Sequence, residues 1–246
     1  MMEVIPGFQM GDDGRVLGPV ARAVVSRMEV EGHGTVRENL YDALRRSIIQ
    51  GAIPDGEPMS DTWLAQELNV SRTPVRYAFN RLADEGLIEV RGHSGMVVKG
   101  VTLDDAKEIY TIRVRLESLA SRRAMEWMSM AQFDQLGRLL QSIDHLYAEG
   151  CISEVIGAMG DFDRFIYQAC EMPRLRDIII QLEDYLRHFR IMGLSNPQRC
   201  GQAIHEHKAI YQAMVNHDSG LVDAMVAEHL DHSETYLLRI MSEGRP

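Results

Sequence analysis

Arg72, Arg76 and Asn80 recur at every fourth residue, with Thr73 beside the first of them. In a helix this spacing sets them on one face. Val75, Ala78, Phe79 and Leu82 follow the i, i+3, i+4, i+7 pattern and make a different face apolar. A guanidinium presents a rigid fork of donors that matches phosphate oxygens and the major-groove edge of guanine. A helix that buries one side and offers such forks on the other is suited to reading DNA. The alternative is an ordinary amphipathic helix with solvated arginines, so the surrounding elements decide.

Ser71 is placed to cap that helix, and Pro74 fits its first turn, where a missing N–H costs nothing. Upstream, residues 61–68 read as a second short helix with Ser60 as its cap, joined to the first by a tight Asn69-Val70 link. This is helix-turn-helix order. Downstream, Gly86 ends the arginine helix. Residues 87–91 and 96–99 then read as two strands around Gly92-His93-Ser94-Gly95, a hairpin placed as a wing. An earlier helix runs from a Thr35 cap to about Gln50, with Leu40, Leu44 and Ile48 buried, Arg37, Arg45 and Arg46 on its basic side, and Gly51 as its stop.

The run Gly51-Ala52-Ile53-Pro54-Asp55-Gly56-Glu57-Pro58-Met59-Ser60, then Leu64-Ala65, Val70-Ser71-Arg72-Thr73-Pro74-Val75-Arg76 and Arg81-Leu82-Ala83-Asp84-Glu85-Gly86-Leu87, resembles the N-terminal winged-helix domain of the GntR family of bacterial transcription regulators. The likeness covers residues 35–100. It implies DNA contacts at Arg72, Thr73 and Arg76 and at a wing tip of Arg91, Gly92 and His93, with Arg45 reaching a phosphate. Thr62 stands where some members carry a basic residue, which removes one contact.

The chain has 246 residues, enough for two modest domains, with 45% hydrophobic and 25% charged residues. No apolar run approaches the ~20 residues of a spanning helix. The start, Met1 to Pro6, lacks the basic-then-apolar layout of a signal peptide, so a cytoplasmic protein is expected. Cys151, Cys170 and Cys200 have no metal-type spacing and read as reduced thiols. A net charge of −10 argues against a generic polyanion binder and for DNA contact through a local patch. Residues 1–34 read as an extension, partly disordered and with no assigned role, in which residues 20–28 could form a short helix without a strong stop or cap.

Beyond Val101 only helical period remains, in segments near 103–128, 131–148, 153–171, 174–193, 199–217 and 219–242. Short links between six helices predict an all-α bundle whose core includes Ile109, Ile112, Leu116, Leu119, Ile178, Leu182, Ile210 and Met214. Arg113-Val114-Arg115-Leu116-Glu117, Phe162, Pro173-Arg174-Leu175, Glu206-His207-Lys208-Ala209-Ile210 and His229-Leu230 resemble the FCD ligand-sensing domain of the FadR-like branch of GntR regulators. That resemblance implies a divalent metal (zinc, nickel or manganese) on inward histidines, here His207 and His229. The family's Asp-x-x-Phe-His motif becomes Met159-Gly160-Asp161-Phe162-Asp163, so Asp163 replaces one histidine and Met159 one aspartate. The possible metal set is therefore Asp163, His207 and His229 with water, and a metal-free pocket is the alternative. The resemblance also implies that Arg113 holds a small organic acid, with Tyr110 one turn before it. An ion pair with Glu117 would do as well.

The fold expected is mainly α: a winged helix-turn-helix of three helices and a β-hairpin over 35–100, then an all-helical effector-binding and dimerisation domain over 101–246. The function expected is a ligand-responsive regulator, binding a palindromic operator as a homodimer under control of a carboxylated metabolite. A constitutive DNA-binding dimer, and less favourably a metal-dependent hydrolase or hydratase, are the rival readings.

Overall fold

The computed structural model describes residues 18–31, 35–91 and 96–243. It divides into two compact units, Met1–Thr102 and Leu103–Pro246.

In the first unit, α1 (Pro19–Glu31) packs on α2 (Val36–Ile49), which packs in turn on α4 (Arg72–Asp84), with α3 (Asp61–Glu67) also against α4. Leu40, Leu44, Ile48, Leu64, Val75 and Leu82 are almost wholly buried, each contributing about 1.5–3 kcal/mol through apolar burial. Thr35 caps α2, and its backbone N–H donates to the Glu38 carboxylate at 3.1 Å. The Ser60 hydroxyl accepts from the Trp63 N–H at 3.3 Å. Ser71 holds the cap position of α4 without a side-chain bond to the helix. Gly86, at φ +74°, ends that helix where an L side chain would be strained.

Strands β1 (Pro58–Met59), β2 (Ile88–Val90) and β3 (Met96–Val98) form an antiparallel sheet in the order β1-β3-β2, with Pro58 opposite Val97 and Ile88 opposite Val98. The β2–β3 hairpin was expected. The two-residue β1 was not, since it is too short to show a period.

The short helix that the sequence allowed at residues 20–28 of the N-terminal extension is present and somewhat longer. Residues 19–31 form a helix that buries Val20, Ala21, Val24 and Met28. It is fastened by Arg27 to Gln50 at 2.8 Å, and just before it the Gly18 N–H donates to Glu67 at 3.0 Å. Residues 1–17 and 32–34 lie outside the described residues.

The second unit holds α5 (Leu103–Trp127), α6 (Met130–Ala148), α7 (Ile152–Ala169), α8 (Pro173–Leu194), α9 (Pro197–Val215) and α10 (Ser219–Ser242). All six lie within two residues of their expected bounds. Helix α5 packs on α7, α8, α9 and α10, and α6 on α7 and α9. Ile109, Ile210 and Met214 are buried as expected, but Ile112 is 38% and Ile178 49% exposed. Leu116, Leu119 and Leu182 are only partly covered. The stripe of α5 that faces inward carries Ile109, Arg113, Glu117, Ala120 and Ala124. A buried ion pair occupies part of it, and Ile112, ~100° away around the helix, turns outward. Among the described residues no helix is long and apolar enough to cross a membrane.

Candidate nucleic-acid interface and bundle chamber

Helix α3, the Asn69 turn at φ 50° and α4 hold the arginine face clear of the first core. Arg72 and Arg76 have side chains 57% and 69% exposed, and Thr73 and Asn80 are exposed with them. Asp61, the first residue of α3, lies between the two arginines. Arg72 Nη2 donates to both of its oxygens at 2.9 Å, and Arg76 Nε stands 3.9 Å away. Hydrogen bonding to Arg72 holds the Asp61 carboxyl below its ordinary value. Sequence periodicity had no means of pairing Asp61 with residues in the next helix.

The other expected contacts divide. Arg91 is 64% exposed and paired with Glu89 at 2.6 Å. Gly92 and His93 lie outside the described residues. Arg45, expected at a phosphate, has a side chain only 11% exposed, and its Nε donates to Glu85 at 2.8 Å. Tyr41 donates to the same carboxylate, so Arg45 ties α2 to the end of α4. Arg81 stacks over Tyr41 at 3.6 Å, and Arg37 over Tyr77 at 5.1 Å.

In the second unit, α7, α9 and α10 bring Asp163, His207 and His229 into one cluster. His207 Nε2 lies 3.1 Å from Asp163 Oδ1, and the two imidazoles have centroids 4.7 Å apart. His207 Nδ1 donates to the Ala203 carbonyl and His229 Nδ1 to Glu206, each at 2.7 Å. Burial lowers His229 below the ordinary imidazole value, although Glu206 pulls the other way. Glu206 also accepts from His232 at 2.8 Å and from Arg199 at 3.2 Å.

Arg113, expected at an organic acid, is buried and makes the ion pair that was the alternative, donating to Glu117 at 2.6 Å and to Glu183 at 3.3 Å. Tyr110 does line a chamber of about 30 Å³ with Phe189, Arg190, Arg199, His207 and His229, room for about one water. A larger hollow of about 290 Å³ lies between α7 and α8, bordered by Gly157, Arg164, Glu183, Arg187 and Arg190.

Arg190 lines both spaces and was not singled out by the sequence. Its Nη2 donates to Asp163 Oδ2 at 2.7 Å. Burial alone would raise the Asp163 carboxyl, but Arg190, and then His207, hold it well below the usual carboxylate range. Burial pushes Glu183 up to about 7 against the pull of Arg113 and Arg190.

A divalent ion fits this set poorly. The anchored Nδ1 atoms of both histidines suit metal-binding imidazoles. However, Met159 puts a fully buried thioether where the resemblance would have a carboxylate, and a guanidinium already lies on Asp163. Among the described residues no group of three His, Cys, Asp or Glu is placed to hold a metal.

Comparison with known proteins agrees with this division. Residues 36–98 match the bacterial regulatory proteins of the gntR family, and residues 108–232 match the FCD domain. The chain is 26% identical to the HTH-type transcriptional repressor RspR of Escherichia coli over 209 residues, 85% of this chain and 92% of that one. It is 24% identical to the HTH-type transcriptional regulator YdhC of Bacillus subtilis over 206 residues, 83% and 92% of the two chains. In fold it is similar to the solved E. coli McbR/YncC, with a TM-score of 0.61 and 24% identity over 85% of this chain and 100% of that one.

Proposed function

The chain belongs to the gntR family of bacterial regulatory proteins, with an FCD domain as its helical half, and from that premise we propose that it is a ligand-responsive transcription regulator that grips a palindromic operator as a homodimer. Regulation of transcription, rather than catalysis, is what its domains and relatives share. The observation that carries the finer reading is the exposed arginine face of α4, with Arg72 and Arg76 more than half exposed. In a dimer the two copies of this helix enter successive major grooves, with Arg72, Thr73 and Arg76 toward the bases and phosphates and Arg91 in the wing. Such a protein works in the bacterial cytoplasm, where operators are.

FCD domains can bind metals or small ligands, and for this chain the support is for a small ligand. The hollow between α7 and α8 approaches the ~300 Å³ lower bound of typical ligand pockets. Arg164 and Arg187 border it, and a guanidinium is the natural partner of a carboxylated metabolite. Such a ligand would favour one of two states that differ in operator affinity. Ile112 and Ile178, apolar and exposed, support a self-association face on the same unit.

The direct test is Arg72→Ala in fluorescence anisotropy against DNA selected by the wild-type chain. A loss of about 1–3 kcal/mol in binding is expected; unchanged affinity rejects α4 as the recognition helix.

A further inference from the structure

We infer that Arg190 is the resident cation of the bundle, its guanidinium on Asp163 taking the place of a divalent ion, so that the effector-sensing half works without metal. The inference rests on reading that half as the sensor, but not on any particular effector.

Arg190 is held by the fold rather than laid on its surface. On α8, Glu183 and Arg190 are seven residues apart and share a face. On α7, Asp163 and Tyr167 are four apart and share another. The two faces are cross-linked twice, by Arg190 to Asp163 at 2.7 Å and by Tyr167 to Glu183 at 3.1 Å. Arg113 on α5 joins through Glu183, and His207 on α9 through Asp163. Four helices thus fix the guanidinium where it is.

Charge matching points the same way. Arg113 is matched by Glu117 and Arg190 by Asp163. Adding a divalent ion to Asp163 would bring two further positive charges beside Arg190 and Arg113, with Glu183, which both arginines already face, left to offset them and Met159 neutral. Displacing Arg190 to admit the ion would strand a guanidinium that is only 25% exposed. The two histidines keep the outer hydrogen bonds that would orient a metal ligand, and what has changed is the cation they surround.

The test uses the full chain, purified without chelator or histidine tag, with elemental analysis and calorimetric titration of Zn²⁺, Ni²⁺ and Mn²⁺ separately. Wild type is expected to hold well under one ion per chain, and its melting temperature should not respond to EDTA. Arg190→Ala, and Arg190→Met, which keeps the packing of the stem, should each take up about one ion per chain, lost again when His207→Ala is added. Arg190→Lys keeps a positive charge and should stay metal-free. A wild-type chain carrying about one zinc, nickel or manganese ion overturns the inference, even if every variant fails to fold. A folded Arg190→Met that still refuses all three ions overturns it too. DNA binding by wild type, measured alongside, separates these outcomes from a failure of the regulatory reading.

Discussion

Asp61 holds a carboxylate against two arginines that must face a polyanion. Its bonds to Arg72 lie at an exposed surface, where such a pair is worth about 0–1 kcal/mol. If α4 reads DNA as proposed, a phosphate displaces this bond at little cost, and until then Asp61 restrains both side chains and lowers their attraction for any phosphate. Asp61→Asn should raise affinity for non-specific duplex by up to about fivefold and steepen its salt dependence, read by anisotropy over a salt series. An unchanged salt slope would show that Asp61 does not restrain the face. Asp163 is the opposite case, a nearly buried carboxylate on a nearly buried guanidinium. Asp163→Ala should destabilise the bundle by about 3–5 kcal/mol in urea unfolding, because it leaves Arg190 without its partner. The folded-state value of Asp163 lies below its ordinary one. Its contribution is therefore fully present above the ordinary carboxylate range near pH 4 and lost as pH falls below it. The acid limb of a melting-temperature profile should accordingly be shallower in Asp163→Asn than in wild type.

Elements were legible in the sequence wherever a period or a punctuating residue spoke for them. The arginine helix, the wing strands and six bundle helices follow from apolar spacing and from Gly86, Pro173 and Pro197. What escaped was set by contact between distant segments. Helix α1 was legible only as a short helix without a cap at residues 20–28, and its register of Val20, Val24 and Met28 has meaning only once α2 lies beneath it. Strand β1 exists because β3 is there to pair with it. The α5 stripe was assigned to Ile112 because apolar residues usually fill a core, whereas here Arg113 and Glu117 satisfy each other inside it. The sites divide along the same line. Arg72, Arg76, His207 and His229 are where local motifs put them. Asp61 and Arg190 were invisible because their partners sit 11 and 27 residues away. Two substitutions test the element account. Val24→Ala should cost roughly 1–3 kcal/mol if α1 is part of the first core. Gly86→Ala, with open space where the added methyl would sit, should cost about 1 kcal/mol through backbone strain alone.

At the scale of the whole molecule, a chain of net charge −10 is proposed to meet DNA through a local patch, the exposed Arg72 and Arg76 of α4 with Arg91 of the wing, and not through an overall positive charge. Its acidity lies elsewhere and discourages sliding contact over the remaining surface. Reading a palindrome further requires two copies. If the proposed homodimer forms through the exposed Ile112 or Ile178, Ile112→Asp or Ile178→Asp should shift it to monomer in analytical ultracentrifugation and weaken operator binding with it. Dimers that persist in both variants would place self-association on another surface.

The measurement that bears most directly on the account is sequence selection from a random DNA pool by the full chain, wild type beside Arg72→Ala. The expected result is an inverted-repeat consensus for wild type and a loss of about tenfold or more in affinity for it in the variant. No enriched sequence for wild type, or equal binding by the variant, would contradict the claim that α4 reads an operator.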